Sequence, residues 1–203
     1  MSSGGASPMG DRRGVTALAL ARAEIAHRVA AGPAPRLPSD GWLERPGASF
    51  VTLTRAGRLR GCIGTVLPHR PLGEDLLANA RAAALEDPRF PPVAEEELDE
   101  LRVEVSVLSP LTPLEVTGEE DLRARLRPGR DGLYLEGGLR RATFLPQVWR
   151  SLPEPADFVA ALRSKAGLGA EVPAEELRWW TFTVEKWAER EGDRPPRTGP
   201  PSR

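Results

Sequence analysis

The segment LRVEVSVLS, residues 101–109, constrains the fold of this chain more than any other segment. Its three valines alternate with Glu104 and Ser106. Successive side chains of a β-strand point to opposite faces of a sheet, so the alternation predicts a strand with one apolar and one polar face. A carboxylate in the middle of such a strand has to be paired, protonated or turned toward a cleft.

Further strands are predicted on both sides of this segment, and short turns that contain glycine join several of them. SFVTLTR and RLRGCIGT meet at Ala56-Gly57, and GLYLE and LRRATF meet at Gly137-Gly138. Such turns are typical of antiparallel hairpins. A final strand, WWTFTVEKW, brings the number of predicted strands to at least six.

Helices are predicted over Val15–Ala30, Leu72–Glu86 and Ala156–Ala166, where apolar residues recur at helical spacing. After the last of these helices, Gly167 and Leu168 fit a left-handed cap and its hydrophobic closure. The regular alternation of strands and helices that makes a doubly wound sheet is missing. The sequence therefore predicts an α+β fold with mainly antiparallel sheets.

The 203 residues suffice for one substantial core or for two small lobes. Residues 1–14 are rich in Gly and Ser and residues 191–203 are rich in Pro, so disordered tails are predicted on both sides of a domain spanning residues 15–190. No stretch approaches the roughly 20 apolar residues needed to span a bilayer. The N-terminus also lacks the apolar segment of a signal peptide, so we expect a cytoplasmic protein without membrane contact.

Composition argues against two kinds of site. One cysteine and two histidines are too few for a zinc site, and no cofactor is predicted, although a carboxylate-bound magnesium ion stays open. The formal net charge of −1 argues against binding nucleic acid through bulk positive charge. Nucleic-acid binding would have to rely on a local cluster of arginines at positions 123, 125, 127, 140 and 141.

The only cysteine, Cys62, lies in RLRGCIGT between Gly61 and Gly64. In a regular strand Cys62 points away from Ile63 and shares the side of Arg60. Glycine weakens a strand unless something approaches the backbone closely or a bulge is present. The pattern predicts a thiol exposed in a groove beside bare amides. The alternative is a small buried side chain, because a glycine bulge would reverse the phase.

A thiol in such a groove becomes reactive when its thiolate is favoured, since a free cysteine is only a few per cent thiolate at neutral pH. A nearby guanidinium favours the thiolate, and Arg60 is the nearest candidate. Backbone N–H groups at the glycines would hold an oxyanion or a carboxylate. Glu104 is the candidate base. His69 is a base by type, but its place between prolines in LPHRPLG favours a surface turn.

Five segments occur in an order that resembles the AMMECR1-domain family, whose bacterial members are named AmmeMemoRadiSam system protein A. They are LRGCIG at 59–64, DPRFPPV at 87–93, VEVSVLS at 103–109, ATFLPQVW at 142–149 and KAGL at 165–168. LRGCIG is the signature motif of the family and is present without change. The resemblance covers about residues 15–187.

This resemblance implies a two-lobed α+β structure whose sheets are flanked by helices. It also implies partners, because the system name reflects genes found together with a Memo-like protein and a radical SAM protein. Carrying the motifs over would bring five residues near one cleft: Arg60, Cys62, Arg89, Glu104 and Thr143. Many relatives have His-Gly where this chain has Asp131-Gly132, so no essential catalytic histidine is expected at that position.

The first hypothesis is an enzyme, or an enzyme component, that uses Cys62 as nucleophile or covalent anchor on a small anionic metabolite. Glu104 would be its general base or orienting carboxylate. The expected ligand-binding residues are Arg60, Gly61, Gly64, Arg89 and Thr143. For Arg89 a buried salt bridge is an equal alternative, because the planar guanidinium suits both roles. The rival hypothesis is a binding or scaffold module in which the glycine-rich strand docks a partner and the cysteine is merely tolerated.

Overall fold

The computed structural model describes residues 8–190, so the predicted C-terminal tail and residues 1–7 lie outside the described residues. The first half of the chain contains α1 (Pro8–Ala30), α2 (Gly41–Glu44), β1 (Ala48–Arg55), β2 (Arg58–Gly64), α3 (Leu72–Leu85) and β3 (Leu101–Leu108). The second half contains β4 (Thr112–Pro113), α4 (Glu119–Arg125), β5 (Gly132–Gly137), β6 (Arg140–Phe144), α5 (Pro155–Ala166), β7 (Arg178–Phe182) and β8 (Val184–Ala188).

These elements form two lobes, each built on an antiparallel four-stranded sheet, and the predicted α+β class is confirmed. The first sheet has the strand order β2-β1-β3-β8, with α1 and α3 packed on one face. The second sheet has the order β4-β7-β5-β6, with α5 packed on it and α4 beside α5. In the described chain, no helix is both long and apolar enough to cross a bilayer.

The core of the first lobe lies between its sheet and the two long helices. Val51 and Leu53 of β1 and Val103 and Val105 of β3 are almost completely buried there. Glu104 alternates with the two valines and is not part of this core, as the pattern of LRVEVSVLS predicts. The alternation therefore places Glu104 on the opposite face of the first sheet.

Aromatic rings fill the core of the second lobe. Trp149 stacks on Phe158 with ring centroids 3.8 Å apart, and Phe144 meets Phe158 edge-on at 5.3 Å. The indole N–H of Trp149 donates a hydrogen bond of 2.7 Å to the carbonyl oxygen of Asp131, so this buried donor is satisfied.

A third apolar cluster joins the lobes, and the last predicted strand runs through it. That strand is divided, because β7 belongs to the second sheet, β8 belongs to the first, and only Thr183 separates them. The prediction of one continuous strand is therefore wrong. Phe182 and Tyr134 from the second lobe are buried against Ala48 and Leu108 from the first.

Two other boundaries differ from the predictions. α1 begins at Pro8 rather than Val15, so residues 8–14 of the predicted tail are helical, and Gly14 lies against the ring of Trp187 on β8. The second hairpin turns at Gly138-Leu139, with Gly138 at a φ of 61°. The predicted end of α5 is confirmed, because Gly167 has a φ of 69° and the next amide bonds back to the carbonyl of Arg163.

A β-bulge at Arg60 interrupts the pairing of β1 and β2. The register runs through three pairs, Thr52–Cys62, Leu53–Gly61 and Thr54–Leu59, so Arg60 has no partner in β1. Because of this extra residue, Leu59 and not Arg60 shares the face of Cys62. Gly61 then faces α3, where a Cβ would lie 2.1 Å from the carbonyl oxygen of Ala83.

Substitution of Gly61 by alanine tests this close approach of strand and helix. We expect Gly61→Ala to lower the free energy of unfolding by about 2–3 kcal/mol, because the backbone of α3 has to move. Gly41→Ala is the matched control, since nothing lies within 4 Å of a Cβ built there. Chemical denaturation of both variants measures the difference, and equal stabilities would contradict the packing described.

Candidate functional site

Cys62, Thr52 and Glu104 form a row across β2, β1 and β3. The row lies on the face opposite the buried valines and leucines of the first lobe. Cys62 is partly exposed, and its Sγ lies 3.3 Å from Thr52 Oγ1. The cysteine therefore points away from the apolar side of its strand, as the alternation predicts, and its thiol contacts a hydroxyl group.

The prediction that the guanidinium of Arg60 lies beside the thiol is wrong, because the loop after α3 binds this group. The guanidinium of Arg60 instead forms two hydrogen bonds with Glu97, of 2.8 and 2.9 Å. It also donates to the carbonyl oxygens of Pro91 at 2.9 Å and Pro92 at 3.2 Å. Arg60 thus fastens the loop after α3 to β2, and only 12% of its side chain is exposed.

A second ion pair holds the backbone of Cys62. Asp87 Oδ2 accepts a hydrogen bond of 2.8 Å from the N–H of Cys62, and Arg89 Nη2 donates one of 3.1 Å to its carbonyl oxygen. The two side chains are joined by bonds of 2.6 and 2.9 Å. Because β2 is an edge strand, this Asp87–Arg89 clamp occupies the backbone groups that another strand would otherwise pair with.

Both members of the clamp are charged near neutral pH. The hydrogen bond from Arg89 is the main reason that the pKa of Asp87 lies well below its usual range, and the amides of Cys62 and Arg89 add to it. The hydrogen bond to Asp87 likewise raises the pKa of Arg89, and Cys62 contributes to this rise. Asp87 is buried, whereas 53% of the Arg89 side chain is exposed, so the guanidinium presents an open side near Cys62.

The two glycines of the signature motif make room for the protein's own atoms. Gly61 faces the carbonyl oxygen of Ala83, and at Gly64 a Cβ would lie 2.2 Å from the ring of Phe50. The amide of Cys62 binds the carboxylate of Asp87. The prediction of bare amides is therefore wrong for Cys62 itself, whose amide is already bonded.

Glu104 lies at the far end of the row from Cys62. Its Oε1 is 2.7 Å from Nζ of Lys186 on β8, and 26% of its side chain is exposed. Two strand spacings separate its backbone from that of Cys62, roughly 10 Å, and Thr52 lies between them. Glu104 is thus paired with a cation, one of the three alternatives predicted for a carboxylate in the middle of this strand. It is too distant for a direct hydrogen bond to the thiol.

Thr143 lies apart from this row, in a cavity of about 570 Å³ between the lobes. Its Oγ1 donates a hydrogen bond of 3.0 Å to the carbonyl oxygen of Leu133. Gly64 borders the same cavity from β2, two residues along the strand from Cys62. His69 also borders the cavity and is exposed, with Nδ1 3.3 Å from the carbonyl oxygen of Leu67, which agrees with a surface turn.

Asp131, the position at which many relatives are expected to have histidine, has a structural environment. Its carboxylate is buried and accepts hydrogen bonds from the guanidinium of Arg127 at 2.7 Å and from the backbone N–H of that residue at 2.9 Å. These bonds hold the turn that precedes β5.

Three of the five arginines considered for nucleic-acid binding form ion pairs. Arg123 pairs with Glu119 and Arg125 with Asp121, each one helical turn away, and Arg127 pairs with Asp131. Paired guanidinium groups leave little net charge for a phosphate backbone. Over residues 8–190, no group of three or more His, Cys, Asp or Glu side chains is placed to hold a metal ion.

Sequence reasoning missed three residues of the site: Thr52, Asp87 and Lys186. Asp87 opens the motif DPRFPPV, so its motif was noticed although its contact with Cys62 was not. The position of Thr52 opposite Cys62 follows only when the residue pairs are counted from the turn at Ala56-Gly57 and the bulge is included. Lys186 carries no local signal, because it reaches Glu104 through the pairing of β8 with β3.

The pH dependence of stability tests the attachment of the loop through Glu97. Hydrogen bonds from Arg60 are the main cause that lowers the pKa of Glu97 to about 2 from an ordinary value of 4.5. This stabilisation is complete above about pH 4.5 and is lost as the pH falls toward 2. Near pH 3 we expect Glu97 to account for roughly 2 kcal/mol of the stability lost, and Glu97→Gln to reduce that acid sensitivity.

Urea unfolding of the two proteins near neutral pH and near pH 3 measures the effect. The control is Glu96→Gln, which removes the same charge at an exposed neighbouring position. An unchanged acid sensitivity in Glu97→Gln, or an equal reduction in the control, would contradict the assignment.

Comparison with known proteins agrees with this architecture. The AMMECR1 family matches residues 18–187 of the chain. A protein of Methanothermobacter thermautotrophicus is 43% identical over 166 residues, covering 80% of this chain and 86% of its relative. A protein of Thermococcus gammatolerans is 41% identical over 194 residues, covering 88% and 91%.

A solved structure has the same fold. The crystal structure of the uncharacterized protein PH0010 from Pyrococcus horikoshii superposes with a TM-score of 0.75 at 34% sequence identity, covering 91% of this chain and 95% of the other. Sequence and fold agree over almost the whole described chain, and the family match includes both lobes. The chain therefore belongs to the AMMECR1 family.

Proposed function

We propose that this AMMECR1-family protein is an enzyme, or a component of one, that uses Cys62 on a small anionic metabolite. The observation that carries the proposal is the position of the sulfur. It lies on the polar face of the first sheet, 3.3 Å from the hydroxyl of Thr52 and near the exposed guanidinium of Arg89. A structural cysteine would face the core with Val51 and Leu53 instead.

Arg89 supports this function in two ways. Its positive charge attracts an anionic group of the substrate. Its planar guanidinium still has donors beyond those that contact Asp87 and the Cys62 carbonyl. Asp87 fixes the orientation of the guanidinium, so Arg89 is preorganised, and it also moderates the charge. The two alternatives left open for Arg89, anion binding and a salt bridge, are thus compatible.

Thr52 and Glu104 supply a route for the thiol proton in the proposed reaction. The thiol hydrogen passes to the Thr52 hydroxyl as the hydroxyl hydrogen passes toward the carboxylate of Glu104. The thiolate at Cys62 then adds to an electrophilic carbon of the substrate, and the proton held by Glu104 goes to the substrate atom that receives the displaced electron pair. Neighbouring positions in a sheet have Cβ atoms about 5 Å apart, so adjacent members of the row are within reach of such a relay. Lys186 holds the carboxylate in place.

Family resemblance adds the setting of the proposal. The resemblance implies genes found together with a Memo-like protein and a radical SAM protein. We propose that this protein acts in the cytoplasm in one pathway with these two partners.

The second candidate function is a binding or scaffold module. Packing alone explains three residues of the signature motif, because Arg60 fastens a loop, Gly61 meets α3 and Gly64 lies under Phe50. On this account Cys62→Ala keeps all function. The two candidates are separated by whether the thiol is reactive in the folded protein.

Alkylation of the single cysteine tests the first candidate directly. We expect iodoacetamide to modify Cys62 in the folded protein near neutral pH within about tenfold of the rate in the unfolded chain, because the thiol is partly exposed. Mass spectrometry of intact protein gives the rate, and Cys62→Ser gives the blank. Modification that appears only after unfolding would overturn the proposal.

The role of Arg89 is tested by the charge of the reagent. Iodoacetate is anionic and iodoacetamide is neutral, so the ratio of their rates reports positive charge near the sulfur. We expect Arg89→Gln to lower this ratio roughly two- to fivefold, since Arg89 is exposed and partly neutralised by Asp87. Arg81→Gln is the control, because Arg81 is a half-exposed arginine paired with Glu86. The same ratio in all three proteins would exclude Arg89 as the anion-binding group.

A further inference from the structure

The cavity between the lobes has a basic wall. Arg141 from β6, Lys165 from α5 and His69 from the loop after β2 border this space of about 570 Å³. No carboxylate borders it among the residues that the structure describes. The whole chain, in contrast, has 29 acidic residues and a net charge of −1. Three basic side chains and no acidic one therefore border this cavity.

Lys165 is held at the cavity by neighbouring groups of β6. Its ammonium group donates a hydrogen bond of 3.0 Å to the carbonyl oxygen of Thr143 and lies 5.2 Å from the centre of the Phe144 ring. An ammonium group has three donors, so two remain for a ligand. The cation–π contact restrains the side chain without reducing its charge.

Arg141 lies opposite Glu136 in the pairing of β6 with β5, and the carboxylate of Glu136 has other partners. The hydroxyl of Tyr134 donates a hydrogen bond of 2.6 Å to Glu136, and Glu136 is in turn paired with Arg178 at 2.6 Å. Burial is the main cause that raises the pKa of Tyr134 to about 12, so its phenol is neutral near pH 7. Tyr134 and Arg178 share the carboxylate of Glu136, so Arg141 keeps donors for another anion.

We propose that this cavity binds a phosphorylated small metabolite, with its phosphoryl group between Arg141 and Lys165. Arginine binds two phosphate oxygens at once and lysine adds a point charge, a combination that suits phosphate better than a single carboxylate. The volume lies in the range of small-molecule sites, and Val66 and Leu67 provide an apolar wall for the rest of the ligand. Cys62 is not part of this site. The binding proposed here is therefore independent of the thiol function proposed above.

Calorimetric titration of the full chain with pyrophosphate tests this site. We expect saturable binding at low ionic strength, weakened roughly fivefold to tenfold by Arg141→Gln and by Lys165→Gln and abolished in the double variant. Both side chains are exposed, so the variants should keep the melting temperature of the parent protein. Cys62→Ala should bind pyrophosphate as well as the parent does, which separates this site from the thiol.

Arg125→Gln is the control, because it removes one positive charge from an exposed ion pair on α4, away from the cavity. Three results would overturn the proposal. They are absence of saturable binding in the parent protein, unchanged affinity in the double variant, and an equal loss in Arg125→Gln. Citrate titration tests the ligand class, since citrate binding as tight as that of pyrophosphate would contradict the phosphoryl assignment.

Discussion

The grip of the Asp87–Arg89 clamp on the backbone of Cys62 is the interaction on which the rest of the site depends. An edge strand has unpaired N–H and C=O groups, and here one carboxylate and one guanidinium satisfy both groups of a single residue. Because of the clamp, both backbone groups of Cys62 are already bonded and do not pair with another strand. The clamp also brings the guanidinium of Arg89 to the backbone of Cys62, where its charge interacts with the cysteine.

The two arginines near the bulge at Arg60 contact different groups. The bulge leaves Arg60 without a partner in β1. Arg60 reaches Glu97 and the carbonyls of Pro91 and Pro92, and so holds the loop that carries the clamp. The loop is thus fixed at two points, the Arg60–Glu97 pair and the Asp87–Arg89 clamp. The Arg60–Glu97 pair is bidentate and largely buried. Such support keeps a functional group in a defined orientation.

Several features of this arrangement could be predicted from the sequence, for identifiable physical reasons. Alternation in LRVEVSVLS places Glu104 on the polar face, and glycine turns predict antiparallel hairpins. Cys62 is oriented as its phase against Ile63 predicts.

Arg60 was misplaced because a bulge changes strand phase without a unique local signal. The division of the last strand at Thr183 was missed because both halves have strand-forming residues, and only tertiary packing assigns them to different sheets. The contact of Asp87 with Cys62 joins segments 25 residues apart, which periodicity does not report.

The central claim is that the sulfur of Cys62 is accessible in the folded protein, between Thr52 and Arg89. A crystal structure after a brief soak with a small organomercurial tests it most directly. The account predicts one mercury atom bonded to Sγ on the polar face of the first sheet, with the clamp and the strand pairing intact. A derivative without mercury at Cys62, or one in which β2 has to leave the sheet before the metal binds, would contradict it.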